Sequence, residues 1–224
     1  MKQDSRNLTT RRRALTSVAA LAILPLAASC ELPVPGQGPP PILYRLTPKS
    51  TFSEDLPRVI WQLELEVPFA NAGLSTTRIV LYPNQTELEY YARASWTDRA
   101  PAMVQSLLVE SFENSKRIIG VGRESVPLRA DYLLMTDLRE FQAEYFHGPK
   151  PKIHVAINAK LVRTRDRTII GSKSFAAKMD SEADRLEDII GAFDAAAGKV
   201  FKRLVEWTLV TGERDFQRIR QSSS

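Results

Sequence analysis

Ile153, Val155, Ile157, Ala159 and Leu161 alternate strictly with His154, Ala156, Asn158 and Lys160, and nothing else in the chain constrains its fold as much. A period of two places every second side chain on one side of an extended strand, so this stretch belongs to a sheet with one buried face. Arg165-Asp166-Arg167 then reads as a turn into a partner strand, Thr168 to Lys178. Upstream, Val59, Trp61, Leu63, Leu65 and Val67 repeat the same alternation. Shorter strand candidates cover Arg78 to Tyr82 and Leu88 to Ala92, separated by the turn signal Pro83-Asn84. Strand character returns at Ile118 to Val121 and Asp131 to Phe141.

Two stretches change period. Met103, Val104, Leu107, Leu108 and Phe112 recur at spacings of three and four, which predicts a helix over 99–114, with Asp98 placed to cap it and Pro101 in its first turn. Ile189, Phe193, Ala196, Ala197, Val200 and Leu204 predict a second, long helix ending near Leu209. The polar segment 213–224 is expected to be a frayed, flexible tail. The elements add up to one α/β domain with a mixed sheet, at least two long helices and no internal repeat.

The chain before the first strand is of another kind. Residues 1–13 are polar and end in Arg11-Arg12-Arg13, and an apolar run from Ala14 to Ala28 follows, broken by Pro25. A spanning helix needs about 20 apolar residues, so the run is short for a membrane anchor and reads as a secretory signal peptide over 1–29. Leu26-Ala27-Ala28-Ser29-Cys30 resembles a bacterial lipobox, although Ala27 stands at the third place before the cysteine, where leucine is commonest. That resemblance implies cleavage before Cys30 and attachment of a diacylglyceryl group to its sulfur, with acyl chains such as palmitate. The alternative is an inert cysteine behind an ordinary signal peptide. The basic triplet leaves Sec and twin-arginine export both open. Residues 30–43 then form a Pro/Gly-rich tether, whose stretch Glu31 to Pro41 would span about 30 Å if extended.

Charge follows from this division. The formal net charge of +5 suggests nucleic-acid binding, but residues 1–29 hold five cations against one acid. Their removal takes away +4 and leaves the mature chain at +1, so no nucleic-acid partner is expected, and association should depend little on ionic strength. One cysteine excludes a disulfide framework and a multi-cysteine metal site.

The order of short motifs resembles the ABC-type transport auxiliary lipoprotein family, which includes paraquat-inducible protein C. The motifs are Tyr44-Arg45-Leu46, then Arg78-Ile79-Val80, then Leu88-Glu89-Tyr90-Tyr91-Ala92 leading to Trp96. Ala130-Asp131-Tyr132-Leu133-Leu134 with Phe141 follows, and an alanine-rich helix from Phe193 to Trp207 closes the series. The domain so delimited is 44–212, with Pro68 to Thr77 unmatched. The resemblance implies a three-layer α/β sandwich with a mixed sheet, similar to the amino-terminal domain of TolB. It implies a non-enzymatic lipoprotein on the outer membrane, facing the periplasm. Its partners would be a mammalian-cell-entry-type protein with an ABC permease and ATPase, a system that moves lipids between membranes. A homo-oligomer is left open. The competing readings are a cofactor of another envelope machine, either a peptidoglycan synthase activator or a lipopolysaccharide assembly factor, and a secreted hydrolase.

Catalytic and cofactor signatures are absent from the sequence. It has no G-x-x-x-x-G-K-[ST] and no G-x-S-x-G, and Gly120-Val121-Gly122 reads as the end of a strand rather than a dinucleotide loop. No cofactor, metal or catalytic residue is expected. His147 and His154 are the only histidines, and His154 should face away from Ile153 and Val155. Trp61, Trp96, Trp207, Tyr90, Tyr91, Phe141 and Tyr145 are expected mostly in the core, with a partner surface or a lipid-contacting groove as the functional alternative. Tyr90 and Tyr91 are neighbours on a strand and must face opposite sides.

Overall fold

The structure, a computed structural model, describes residues 40–123, 129–146 and 148–222. The signal segment, the lipobox with Cys30, most of the tether and His147 lie outside the described residues. Ile153, Val155, Ile157, Ala159 and Leu161 are all fully buried on one face of β8 (Lys152–Arg163). β8 is flanked by two 13-residue antiparallel strands, β7 (Tyr132–Glu144) and β9 (Thr168–Asp180). The expected turn joins β8 to β9: Asp166 Oδ1 accepts the Thr168 amide at 3.1 Å, and Arg167 adopts the left-handed φ of 57° that the reversal needs.

Because β8 occupies one edge of β7 along its whole length, all other partners of β7 share the remaining edge. β2 (Val59–Leu65), β3 (Phe69–Ala70) and β4 (Arg78–Tyr82) pair with it in turn, each parallel, at Tyr132–Leu134, Asp137–Leu138 and Gln142–Glu144. They act as one interrupted strand. Pro68 lacks an amide donor and breaks it after β2, and Asn71 O accepts the Leu74 and Ser75 amides in a turn before β4. β6 (Ile118–Arg123) lies outside β2, while β5 (Glu89–Trp96) and β1 (Ile42–Tyr44) lie outside β4, giving a mixed sheet of nine strands among the described residues. β5 runs four residues past the alternation that marks its start. A bulge at Arg93, with φ 58°, shifts the register and turns Ala94 and Trp96 into the core.

The two helices among the described residues are α1 (Ala100–Ser115) and α2 (Leu186–Ser222). Asp98 does not cap α1. Arg99 is the N-cap, and the Ala100 amide is instead taken by the Thr76 carbonyl at 3.0 Å, so the loop before β4 does the work of a side chain. α2 does not end near Leu209, and the segment expected to fray is helical to Ser222. Its last turns are anchored. Glu213 accepts the indole N–H of Trp61, and Asp215 accepts from Tyr132 and Arg163, so the polar residues there bond inward.

The fold class is the expected one, mixed α/β with a large mixed sheet and two helices. The helices pack against each other on the sheet face that carries Trp61, Leu63 and Ile157. The third layer of the implied sandwich has no counterpart among the described residues, where Ile60, Met135 and Ile169 on the opposite face are exposed. Residues 45–58 run as a strap along both helices: Thr47 bonds Asp194, the Lys49 amide donates to Ser111, and Ser53 bonds Glu206. At the centre of the core, Trp96, Phe141 and Phe193 meet from β5, β7 and α2 at centroid distances of 5.2–5.5 Å.

Candidate functional site

The aromatic residues singled out above divide by environment. Trp61, Trp96 and Phe141 are fully buried, and Trp61 packs edge-on against Tyr132 at 5.0 Å. Tyr90 and Tyr91 point apart, as neighbours on a strand must. Tyr90 donates to the Gly73 carbonyl beneath the Arg78 guanidinium, while Tyr91 shares a 2.9 Å bond with Tyr145. Tyr145 in turn donates to Asp184, and burial together with that bond pushes its phenol up to about 12. These six residues bind the fold together. Trp207 differs.

Trp207 is half-buried on α2, with its ring edge-on to Phe175 of β9 at 5.7 Å. Gly171 lies beneath it, and a Cβ there would lie 3.0 Å from both the ring and Thr211 Cγ2, tighter than an ordinary contact. Leu56, Phe175, Trp207 and Val210 form the apolar wall of a surface groove of about 580 Å³, and Lys173, Arg203 and Arg214 edge it. A neighbouring cleft of about 550 Å³ continues along Ala176 and Ala177 past Lys199 and Lys202. Together they follow the length of β9 from Lys173 to Lys178.

The electrostatics of this surface are one-sided. Among the described residues Glu206 is the one acid lining either cleft, and its carboxylate is already held by the Ser53 amide and hydroxyl, with Lys202 Nζ 3.9 Å away. Among the described residues none of Lys173, Arg203 and Arg214 pairs with a carboxylate. A charge summed over the chain therefore hides a local excess of cations, and the expectation of weak salt dependence does not extend to this surface. β9 pairs only with β8, which leaves its second edge without a strand among the described residues. Periodicity could mark Trp207 and Val210 on α2, but only the folded register of β9 brings Lys173 beside Arg203 and Arg214.

Two ionic clusters are structural, the first meeting the far end of the second cleft at Lys178. Glu144 receives His154 Nδ1 at 2.8 Å and Lys178 Nζ at 3.0 Å. Burial alone would raise its pKa, but those two partners outweigh burial and hold the carboxyl below the usual range. His154 faces away from Ile153 and Val155 as expected, and on that face it is tied to Glu144 and 18% exposed. Asp215 is the second case: burial opposes its charge, and Arg163, Arg218 and Tyr132 more than compensate. Among the described residues no three histidines, cysteines or acids gather to hold a metal, and no helix is long and apolar enough to cross a membrane. Gly120-Val121-Gly122 lies within β6, as read from the sequence.

A family model described as the ABC-type transport auxiliary lipoprotein component matches residues 44–205. An uncharacterized protein of Bradyrhizobium diazoefficiens, bll6063, is 27% identical over 153 residues, which make up 66% of this chain and 39% of that protein. The chain thus spans well under half the length of that relative. The crystal structure of protein XCC0632 from Xanthomonas campestris superposes with a TM-score of 0.75 at 32% identity, over 79% of this chain and 99% of that one. The crystal structure of another uncharacterized protein shares the fold at TM-score 0.59 and 13% identity, over 75% of this chain and 97% of that one.

Proposed function

The chain belongs to the ABC-type transport auxiliary lipoprotein family, and from that premise we propose that it docks, without catalysis of its own, on a mammalian-cell-entry-type ABC transporter that moves lipids between membranes. In this reading the signal segment 1–29 is removed and Cys30 carries the lipid. The tether 30–43 then holds the domain off the inner leaflet of the outer membrane, on the periplasmic side. The anchor confines the domain near its partner and raises the effective concentration without adding a contact.

The observation that carries docking is the groove along β9 and α2. Tryptophan and arginine dominate the energetics of protein interfaces, and here Trp207, Arg203 and Arg214 share one open surface. Capture from envelope extracts tests the reading. The wild-type protein should bring down the mammalian-cell-entry protein with its permease and ATPase, and the purified chain should turn over neither ATP nor esters. Recovery of peptidoglycan synthases or lipopolysaccharide assembly proteins in their place, or steady hydrolysis of any ester by the pure chain, contradicts it.

A further inference from the structure

Arg203 Nη2 donates to the carbonyl of Ala176, on the edge of β9 that no described strand covers. In an antiparallel ladder the backbone groups of alternate residues point to opposite edges. Ser174 and Lys178 therefore present their amides and carbonyls to the same open edge as Ala176. Next to that row lies the cationic groove, with Phe175 and Trp207 as its apolar wall. A strand laid beside β9 would send every second side chain toward α2, between Trp207 and Val210, and its carboxylates toward the cations.

Resting on the docking reading above, we infer that the groove takes an extended acidic segment of the partner protein, added as a further strand on the free edge of β9. Lys173, Arg203 and Arg214 meet its carboxylates, and Trp207 with Val210 meets its apolar side chains. Charge complementarity selects the sign of the segment, since Glu206 is engaged by Ser53 and those three cations pair with no described carboxylate. The strand edge selects its shape. Amides at every second residue along 174–178 and the carbonyls of Ser174 and Lys178 match an extended backbone, and Arg203 exchanges the Ala176 carbonyl for a carboxylate of the segment as the strand docks, whereas an anionic lipid headgroup would use the cations and leave that row to water.

The probe is an acetylated, amidated peptide of alternating valine and aspartate, eight residues long by design, titrated into the full mature chain carrying Cys30→Ser. Binding should slow hydrogen exchange at the Ser174 and Lys178 amides, alter Trp207 emission, and weaken with added salt. The double variant Arg203→Gln/Arg214→Gln should lose about tenfold in affinity. Ser174→Pro removes one outward amide at an edge position where proline is tolerated, and it should cost a similar factor while the melting temperature holds. Equal binding by Ser174→Pro, equal binding of the lysine counterpart peptide, or no binding at all overturns the inference. So does capture of anionic phospholipid vesicles by this surface without any affinity for the peptide. Transporter capture is scored separately: if the peptide binds as described while no transporter subunit is recovered from extracts, the docking reading falls and the strand-addition inference stands.

Discussion

A glycine and an aspartate near the end of α2 explain more of the stability than their types suggest. A Cβ on Gly212 would lie 2.6 Å from Cζ2 of Trp61, which is fully buried and unable to retreat. Gly212→Ala should therefore destabilise the domain by about 1–3 kcal/mol despite its better helix propensity, read as a shifted denaturant midpoint. Asp215 is held below its ordinary value of 3.8 in the folded state, where Arg163, Arg218 and Tyr132 outweigh the burial that opposes its charge. A depressed folded pKa contributes stability that is complete above 3.8 and is lost as pH falls through the folded value. Acid unfolding curves should consequently be shallower for Asp215→Asn below that point, and the variant should be less stable than the parent at neutral pH. Neither residue was legible from its type alone. Glycine in a helix reads as a weakness and aspartate as solvent-facing, until the partner ring and the arginines are in place.

At the scale of elements, the alternation in β2 and β8 and the three-and-four spacing of both helices were readable because a buried face imposes its period on the side chains. Phe193 shows the consequence. It meets Trp96 and Phe141 at once, so Phe193→Ala should cost roughly 3–5 kcal/mol, seen as a large drop in melting temperature. The reading failed where a period is interrupted or a polar residue bonds inward. The bulge at Arg93 hides the second half of β5, and a backbone carbonyl from Thr76 replaces the expected cap of α1. The end of α2 is hard to read from sequence because Glu213 and Asp215 look like solvent-facing residues, although Leu209, Gly212, Phe216 and Ile219 continue the helical spacing. Removing 213–224 should strip partners from Trp61, Tyr132 and Arg163 and lower the melting temperature clearly. A frayed tail would leave it unchanged.

For the whole molecule, the resemblance read from short ordered motifs named the family that the match over 44–205 supports. The groove was not legible in the same way. Its cations come from β9 and from two turns of α2 far apart in the chain, and a net charge summed over all residues averages them away. Cys30 lies outside the described residues, and the anchor is tested chemically: Cys30→Ser should stop uptake of labelled fatty acid and release the protein from membranes washed with high salt. Docking through the groove is the central claim, and site-specific photo-crosslinking in intact cells tests it most directly. A photoreactive residue at Val210, beside Trp207, should capture the mammalian-cell-entry protein, while the same residue at Ile60, on the opposite sheet face, should not. Capture from Ile60 but not from Val210 would contradict the account.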